Sequence, residues 1–532
     1  MNTLTKQQII TNQLTGSDIL VQTLIENGVD VIFGYPGSPI LSIYNSLSKT
    51  SKIKHYLSRH EQGAVHAAEG YARVCNKCGV VLVTSGPGFT NTITGIMNAN
   101  NDKTPLLVIT AQSEHVGQNE FQDVDVKELT KSCTKKTYIV SNPCDIQETI
   151  HNAIKETTRL PMGAVVVALT KHSLKTSAEL KEIRKKHEIK VEAPHSCILR
   201  TIDNLKNANK PLIIIGGGCK NSEDEIRELV KLTNIPVVNT LMGSGICDYY
   251  STGMIGTNGN HALNEIIKQS DVVLSLGTRF SDRTTGYGHF LPNSKIFNIN
   301  IEQNQSSNVT ITEEILGELK VVLQQIIGVI KAKDIKFDLK FDWIDTISRT
   351  KEKICDLSTF NIKTALSEIY NYTKKYNPII TTDVGEHQIA AAKIFKTNSA
   401  SNFITSGGFG TMGFGLPAAI GAKIANPNSL VINISGDGSF QMNIQELGMC
   451  SEYNLPIKIF LINNSSLGMI KTQQKENSYS VYQSNIINPD YSKIAEGYGI
   501  TSYKITSLRE LNNALQEIFI YKKAVLLDIK VN

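Results

Sequence analysis

The chain has no apolar run of the roughly 18 residues that a bilayer-crossing helix needs, which excludes a helical membrane span. Its first residues, Met1 to Gly16, are polar and lack the apolar core of a secretory leader, so a cytoplasmic location is expected. A dense Lys/Arg block is missing too. The formal net charge is only +5 over 532 residues, which argues against a nucleic-acid partner. The most basic stretch, Lys181 to Lys190, also carries acidic residues and reads as a solvated linker. Nine cysteines, an odd number, are scattered along the chain, as suits a reducing compartment. The pair Cys75-x-x-Cys78 has no second pair at metal-ligand spacing, so packing explains it better than zinc. No short internal repeat is evident.

What remains is an ordinary globular composition, 41% hydrophobic and 19% charged. The length suggests about three domains at ~150 residues each. In the first third, Val31 to Tyr35, Ile53 to Leu57, Val80 to Thr84 and Leu106 to Thr110 read as strands. Ile40 to Leu47, Gln62 to Val74 and Thr90 to Ala99 read as the helices between them. The middle of the chain has apolar runs at Leu212 to Ile215, Val237 to Asn239, Val272 to Leu276 and Ile296 to Ile299. After a linker near Lys331 to Phe341, the alternation resumes from about Ser358. Such a pattern predicts an α/β protein of three doubly wound parallel-sheet domains, at 1–185, 196–335 and 356–532. The first and third are candidate structural cousins.

The richest signal is Gly436-Asp437-Gly438, which closes the apolar run Ser429 to Ser435 and precedes a helical stretch from Gln441 to Glu452. A second apolar run, Ile457 to Ile462, delivers Asn463-Asn464 at its end. One β-α-β unit thus brings a carboxylate and an amide to the edge of a sheet where open α/β folds place ligands. Both are hard oxygen donors suited to Mg²⁺, whose ligation is completed by substrate phosphates. The glycines let the backbone approach a diphosphate closely. The spacing resembles the signature of thiamine-diphosphate (ThDP) enzymes. By that resemblance, Asp437, Asn464 and the main-chain carbonyl of Ser466 are the metal ligands, and Gly436, Gly438 and Ser439 adjoin the diphosphate.

Arg59-His60-Glu61-Gln62-Gly63 opens a helix. A carboxylate in a first turn is often a cap or a dipole partner. In a ThDP enzyme, one Glu instead hydrogen-bonds N1′ of the aminopyrimidine, the protein managing protons while the cofactor supplies the difficult chemistry. Glu61 matches that residue. Gly34-Tyr35-Pro36-Gly37, the Glu61 helix, Thr84 to Asn91 and Phe121-Gln122 resemble the pyrimidine-binding domain of acetolactate (acetohydroxyacid) synthase catalytic subunits. Thr405 to Gly413 and Gly436 to Glu446 resemble their third domain, and the likeness is collinear over nearly the whole chain.

The resemblance implies a role for each matching position. Tyr35, Pro36, Pro87 and Asn91 fall in motifs that meet the cofactor. Gly410 would offer its carbonyl to the 4′-amino group, Met412 would wedge beneath the cofactor, and Met442 would border the aminopyrimidine. Gly385, Glu386 and His387 fall where the family contacts the diphosphate, with Glu386 replacing a frequent Gln. Phe121, Gln122 and Lys171 match residues lining the substrate pocket. The implied activity is decarboxylation of pyruvate and transfer of the two-carbon unit to a second 2-keto acid. Simple decarboxylases of the superfamily carry a His-His pair near Phe121-Gln122, and its absence here favours carboligation. Glu61 and Asp437 belong to different domains that in relatives meet across a subunit interface. A homodimer or homotetramer is therefore expected, with a regulatory small subunit as a further partner.

Several positions depart from the family pattern. The middle domain carries FAD in family synthases, and Gly217, Gly218, Thr240, Leu241, Met242, Arg279, Asp282 and Arg283 lie in motifs resembling that site. Ser281 replaces an Asp there, and Leu160 to Ala164 replaces a segment whose Arg helps hold the flavin. The family's acceptor-selecting Trp falls at Gln473, and Trp343 is the only tryptophan in the chain. Gly37-Ser38-Pro39 replaces a Gly-Gly-Ala pattern in the pocket, and the sequence stops at Asn532 without the family's closing tail. A polar Gln cannot reproduce an indole's apolar wall, so preference for 2-ketobutyrate over pyruvate as acceptor is expected to weaken. The alternative reading is a related ThDP-dependent lyase or carboligase with a different donor or acceptor.

Overall fold

The computed structural model describes residues 14–531 apart from 119, 181–190, 287–288, 340, 351–358 and 398. The linker expected at Lys181 to Lys190, and the domain limits placed at 185 and 356, lie outside the described residues. Internal contacts divide the chain into two compact units, an N-terminal one holding the first sheet and another holding the second and third.

Besides a two-stranded antiparallel pair, Leu14–Thr15 with Ser177–Ala178, there are three large sheets of six strands each, all parallel. The first is built from β1 (Val31–Tyr35), β2 (Lys54–Leu57), β3 (Gly79–Val83), β4 (Leu106–Gln112), β5 (Lys136–Val140) and β6 (Ala164–Thr170), in the order β2-β1-β3-β4-β6-β5. The second contains β7 (Pro211–Ile215), β8 (Val237–Asn239), β9 (Ser251–Met254), β10 (Val272–Leu276), β11 (Lys295–Asn300) and β12 (Glu313–Leu316), in the order β9-β8-β7-β10-β11-β12. The third contains β13 (Ile379–Thr382), β14 (Phe403–Thr405), β15 (Val431–Gly436), β16 (Ile457–Asn463), β17 (Thr501–Ile505) and β18 (Val525–Lys530), in the order β14-β13-β15-β16-β18-β17. Counted within each sheet, the first and third share the order 2-1-3-4-6-5, which makes them structural cousins. The second has the order 3-2-1-4-5-6 of dinucleotide-binding folds.

The central strands are fully buried and mostly apolar, as parallel strands covered by helices on both faces tend to be. Two expected helices are broken. Thr90 to Ala99 is split into Pro87–Thr90 and Ile93–Asn101. Gln441 to Glu452 begins as a 3₁₀ segment and bends at Asn443 (φ −135°), whose side-chain amide donates to the Gly413 carbonyl at 2.8 Å. That bond, across 30 residues, outweighs helical continuity and fastens one ligand-facing loop to another.

Lys458 lies inside the third sheet, 2% exposed, donating to the carbonyls of Tyr521 and Lys523. Burial, helped by the nearby Lys423 charge, pushes its pKa down to about 8. The unfolded chain therefore binds one more proton between about pH 8 and 10.5, and stability contributed by this group rises with pH across that window. The span is worth on the order of 3 kcal/mol. In urea unfolding at pH 7.5 and 10, the parent should gain stability relative to Lys458→Met as pH rises. Parallel pH profiles would contradict this.

Candidate active site

In both cousin sheets, the strand order reverses between the first and third strands, opening a crevice at their carboxyl ends. In the third sheet these strands are β13 and β15, which lead directly into Asp383 to His387 and Asp437 to Phe440. Asp437 is 2% exposed. Burial pushes its carboxyl up, and three donors oppose that effect. Oδ1 accepts from the Gly438 N–H at 3.0 Å, and Oδ2 accepts from the Ser465 N–H and the Asn488 side chain, both at 2.7 Å.

The loop after β16 supplies the other expected ligands. Ser465 adopts a left-handed conformation (φ 51°), and Asn464 Oδ1 accepts the Ser466 N–H at 3.2 Å. Leu467 N–H donates to the Ser484 carbonyl and Ile486 N–H to the Ser465 carbonyl. The Ser466 carbonyl takes none of these bonds. The structure thus brings the Asp437, Asn464 and Ser466 loops together through the Ser465-to-Asp437 hydrogen bond. Among the described residues, no group of three or more His, Cys, Asp or Glu could hold a metal. A donor set of one carboxylate, one amide and one carbonyl instead fits a hard cation that shares its shell with a phosphate ligand.

Residues without a sequence motif support this site. Asn488 Nδ2 also donates to Asn463 Oδ1, Asn463 Nδ2 donates to Asp528 Oδ1 at 2.7 Å, and the Tyr491 hydroxyl donates to the Asp437 carbonyl. The one signal for any of them is Asp528, a lone acid in the apolar strand Val525–Lys530. Burial raises its pKa, and the Asn463 bond opposes that.

His387 is buried, and desolvation lowers its pKa to about 4, a hydrogen bond with the Asp383 backbone opposing the shift. Its Nε2 accepts the Gly436 N–H at 3.1 Å, so the neutral ring is engaged with the backbone of both switch-point strands. A Cβ on Gly436 would come within 2.7 Å of this ring, which is why glycine stands there. Gly410 has φ +76°, and a Cβ added there would meet nothing within 4 Å. Thr411 N–H is held by Ser406 Oγ at 2.8 Å. Met412 and Leu467 both border Gly438, whose absent Cβ would lie 3.8 Å from the Met412 methyl and 2.7 Å from Leu467. Met442 is half-exposed beside Gly413, and Ser439 Oγ donates to the Val384 carbonyl.

In the N-terminal unit, helix α1 (Glu61–Cys75) is capped by His60, whose Nδ1 accepts the Gln62 N–H. Glu61 is therefore free of the capping role, and its Oε2 accepts Asn91 Nδ2 at 3.0 Å. Its Oε1 lies 3.3 Å from where a Gly88 Cβ would sit. Thr84 Oγ1 is buried with no hydrogen-bond partner, and Gly37 packs against it. Gln122, with φ +62°, presses against Gly86. Tyr35, Pro36 and Pro87 are exposed on the same strand ends. Phe121 is 92% exposed, and Lys171 is exposed at the start of the short helix after β6.

In the second sheet, the order reverses between β7 and β10. Gly216 to Gly218 follow the first, and Gly277 to Arg283 the second, with Gly218 N–H donating to the Gly277 carbonyl. Arg279, Asp282 and Arg283 are exposed, and Thr240 Oγ1 caps the turn Leu241–Gly243. Leu241 and Met242 lie against Gly407 of the third domain, where an added Cβ would meet Leu241 Cδ2 at 3.5 Å and Met242 Cγ at 3.0 Å.

Residues 14–129, 198–326 and 383–529 match the N-terminal TPP-binding, central and C-terminal TPP-binding domains of thiamine pyrophosphate enzymes. The chain is thus a thiamine pyrophosphate enzyme. Relatives along its full length narrow this further. The acetolactate synthase large subunit of Haemophilus influenzae is 36% identical over 545 residues, 98% of this chain and 95% of that protein. Those of Buchnera aphidicola (from Schizaphis graminum) and Lactococcus lactis are 38% and 37% identical, covering 98% and 95% of this chain and 95% and 90% of their own lengths. The chain belongs to the acetolactate synthase large-subunit family.

Proposed function

We propose that this protein decarboxylates pyruvate and transfers the two-carbon unit to a second 2-keto acid, using ThDP and Mg²⁺. The observation that carries the proposal is the meeting of Asp437, Asn464 and Ser466 at the β13/β15 crevice. Bound ThDP would supply the electron sink for decarboxylation, and Mg²⁺ the counter-charge for its diphosphate. The chain's own groups do the rest. Asp437, Asn464 and the Ser466 carbonyl hold the cation, and Gly410 and Met412 leave and border the space for the rings. Glu61 holds and returns a proton at its carboxylate, while Phe121, Gln122 and Lys171 line the substrate pocket. The family assignment favours this reading over a lyase with another donor.

FAD is proposed for the second sheet; its 3-2-1-4-5-6 strand order, with Gly217, Gly218, Arg279 and Arg283 following the strands where that order reverses, supports the reading. The name "large subunit" in the relatives supports a small-subunit partner, and a homodimer or homotetramer of this chain in the cytoplasm is proposed with it. The domain limits 1–185, 196–335 and 356–532 are proposed on the same footing. The test is turnover of pyruvate by purified protein with ThDP and Mg²⁺, with and without FAD, the product identified by mass. Acetolactate is expected. Pyruvate consumed without acetolactate would overturn the acceptor assignment, and equal rates without bound or added flavin would remove FAD.

A further inference from the structure

Helix α2 (Glu386–Ile394) starts at the switch point, and helix α3 (Gly468–Glu476) starts just past the Asn464 to Ser466 loop. None of the residues of α3 is buried. With no apolar face in the core, its pose depends on polar ties. Lys471 Nζ donates to Asn485 Oδ1, and Gln474 exchanges hydrogen bonds with Tyr482 and Ser484, all on the strap that follows the helix. The tie to the cofactor sheet is different: Thr472 Oγ1 donates to Glu386 Oε1 at 3.1 Å, across 86 residues. The other carboxylate oxygen also points to α3. A Cβ on Gly468 would sit 2.5 Å from Glu386 Oε2 and 2.9 Å from Asn464 Nδ2. The Glu386 carboxylate therefore lies at the positive end of the α3 dipole, a placement that suits its charge.

We propose that Glu386 and Thr472 form a bracket that sets the pose of α3, and with it of Gln473, the position that matches the family's acceptor-selecting residue. Glu386 is then a positioning residue for acceptor choice, not a diphosphate ligand. The proposal rests on the carboligase reading for its substrate but not for its geometry. Turning toward α3 also removes the repulsion that a carboxylate facing a diphosphate would create.

The test is a double-mutant cycle of Glu386→Ala and Thr472→Val in the holoenzyme. Its first readout is the partition of product between pyruvate and 2-ketobutyrate as competing acceptors. Each single variant should shift the ratio about 3- to 10-fold in the same direction, the scale of one hydrogen bond, and the double variant no further. Glu386→Gln, which keeps an acceptor oxygen for Thr472, should retain the parent ratio. The second readout is hydrogen exchange over 468–476, which needs no turnover. Both single variants should lose protection there, and ThDP affinity by calorimetry should stay within about 2-fold in Thr472→Val. Additive shifts would overturn the bracket. So would weakened ThDP binding in Glu386→Ala with exchange unchanged in Thr472→Val. If the parent makes no acetolactate, the carboligase reading fails, while exchange still decides the bracket.

Discussion

Asp437→Ala should lower turnover by at least about 1,000-fold, roughly 4 kcal/mol of lost transition-state stabilisation, and remove the Mg²⁺ dependence of ThDP binding. The reason is local. Asp437 is the one carboxylate in the proposed ligand set, buried to 2% exposure and held in place by three donors. Asp437→Asn is the sharper variant because it keeps size and shape. Its amide NH₂ would have to face either the Gly438 N–H or the Ser465 and Asn488 donors, so donor would oppose donor whichever way the amide turned. A frustrated buried donor costs about 1–3 kcal/mol, so this variant should also bind Mg²⁺ poorly. Calorimetric titration of ThDP at fixed and at chelated Mg²⁺ separates the contributions. If the Mg²⁺ dependence survives in Asp437→Ala, the cation is held elsewhere.

How much of this was readable from sequence depends on where each residue sits. Val237–Asn239 and Val272–Leu276 match the expected runs residue for residue, because a strand buried on both faces is nearly continuous in apolar residues. Lys136–Val140, Ser251–Met254 and Glu313–Leu316 escape that pattern. All three are edge strands, partly exposed, with mixed composition. Ala164–Thr170 is the opposite case: its continuous apolar run has the same pattern as a buried helical segment. Asp437 and Asn464 are legible because one β-α-β unit fixes their spacing. Asn488 and Tyr491 are not, because they follow an irregular strap and meet Asp437 only in three dimensions. The same limit applies to His387. The family resemblance implies a place near a diphosphate, but only the fold shows its Nε2 accepting the Gly436 N–H.

Glu61→Gln should reduce turnover about 10²- to 10⁴-fold, the usual span for a positioned proton-transfer group, while leaving the N-terminal unit folded. The prediction is sharp because the structural role a first-turn Glu would otherwise have is already filled. His60 caps α1, and Asn91 can donate to an amide oxygen as well as to a carboxylate. Gln therefore preserves the shape, the helix start and the Asn91 contact, and removes only the ability to take and return a proton. ThDP affinity by calorimetry should change far less than the rate, which separates proton transfer from binding. A thermal melt matching the parent would show that the fold is intact. A Glu61→Gln enzyme with the parent's rate would reduce Glu61 to the opening residue of a helix and move the proton-transfer role to another side chain.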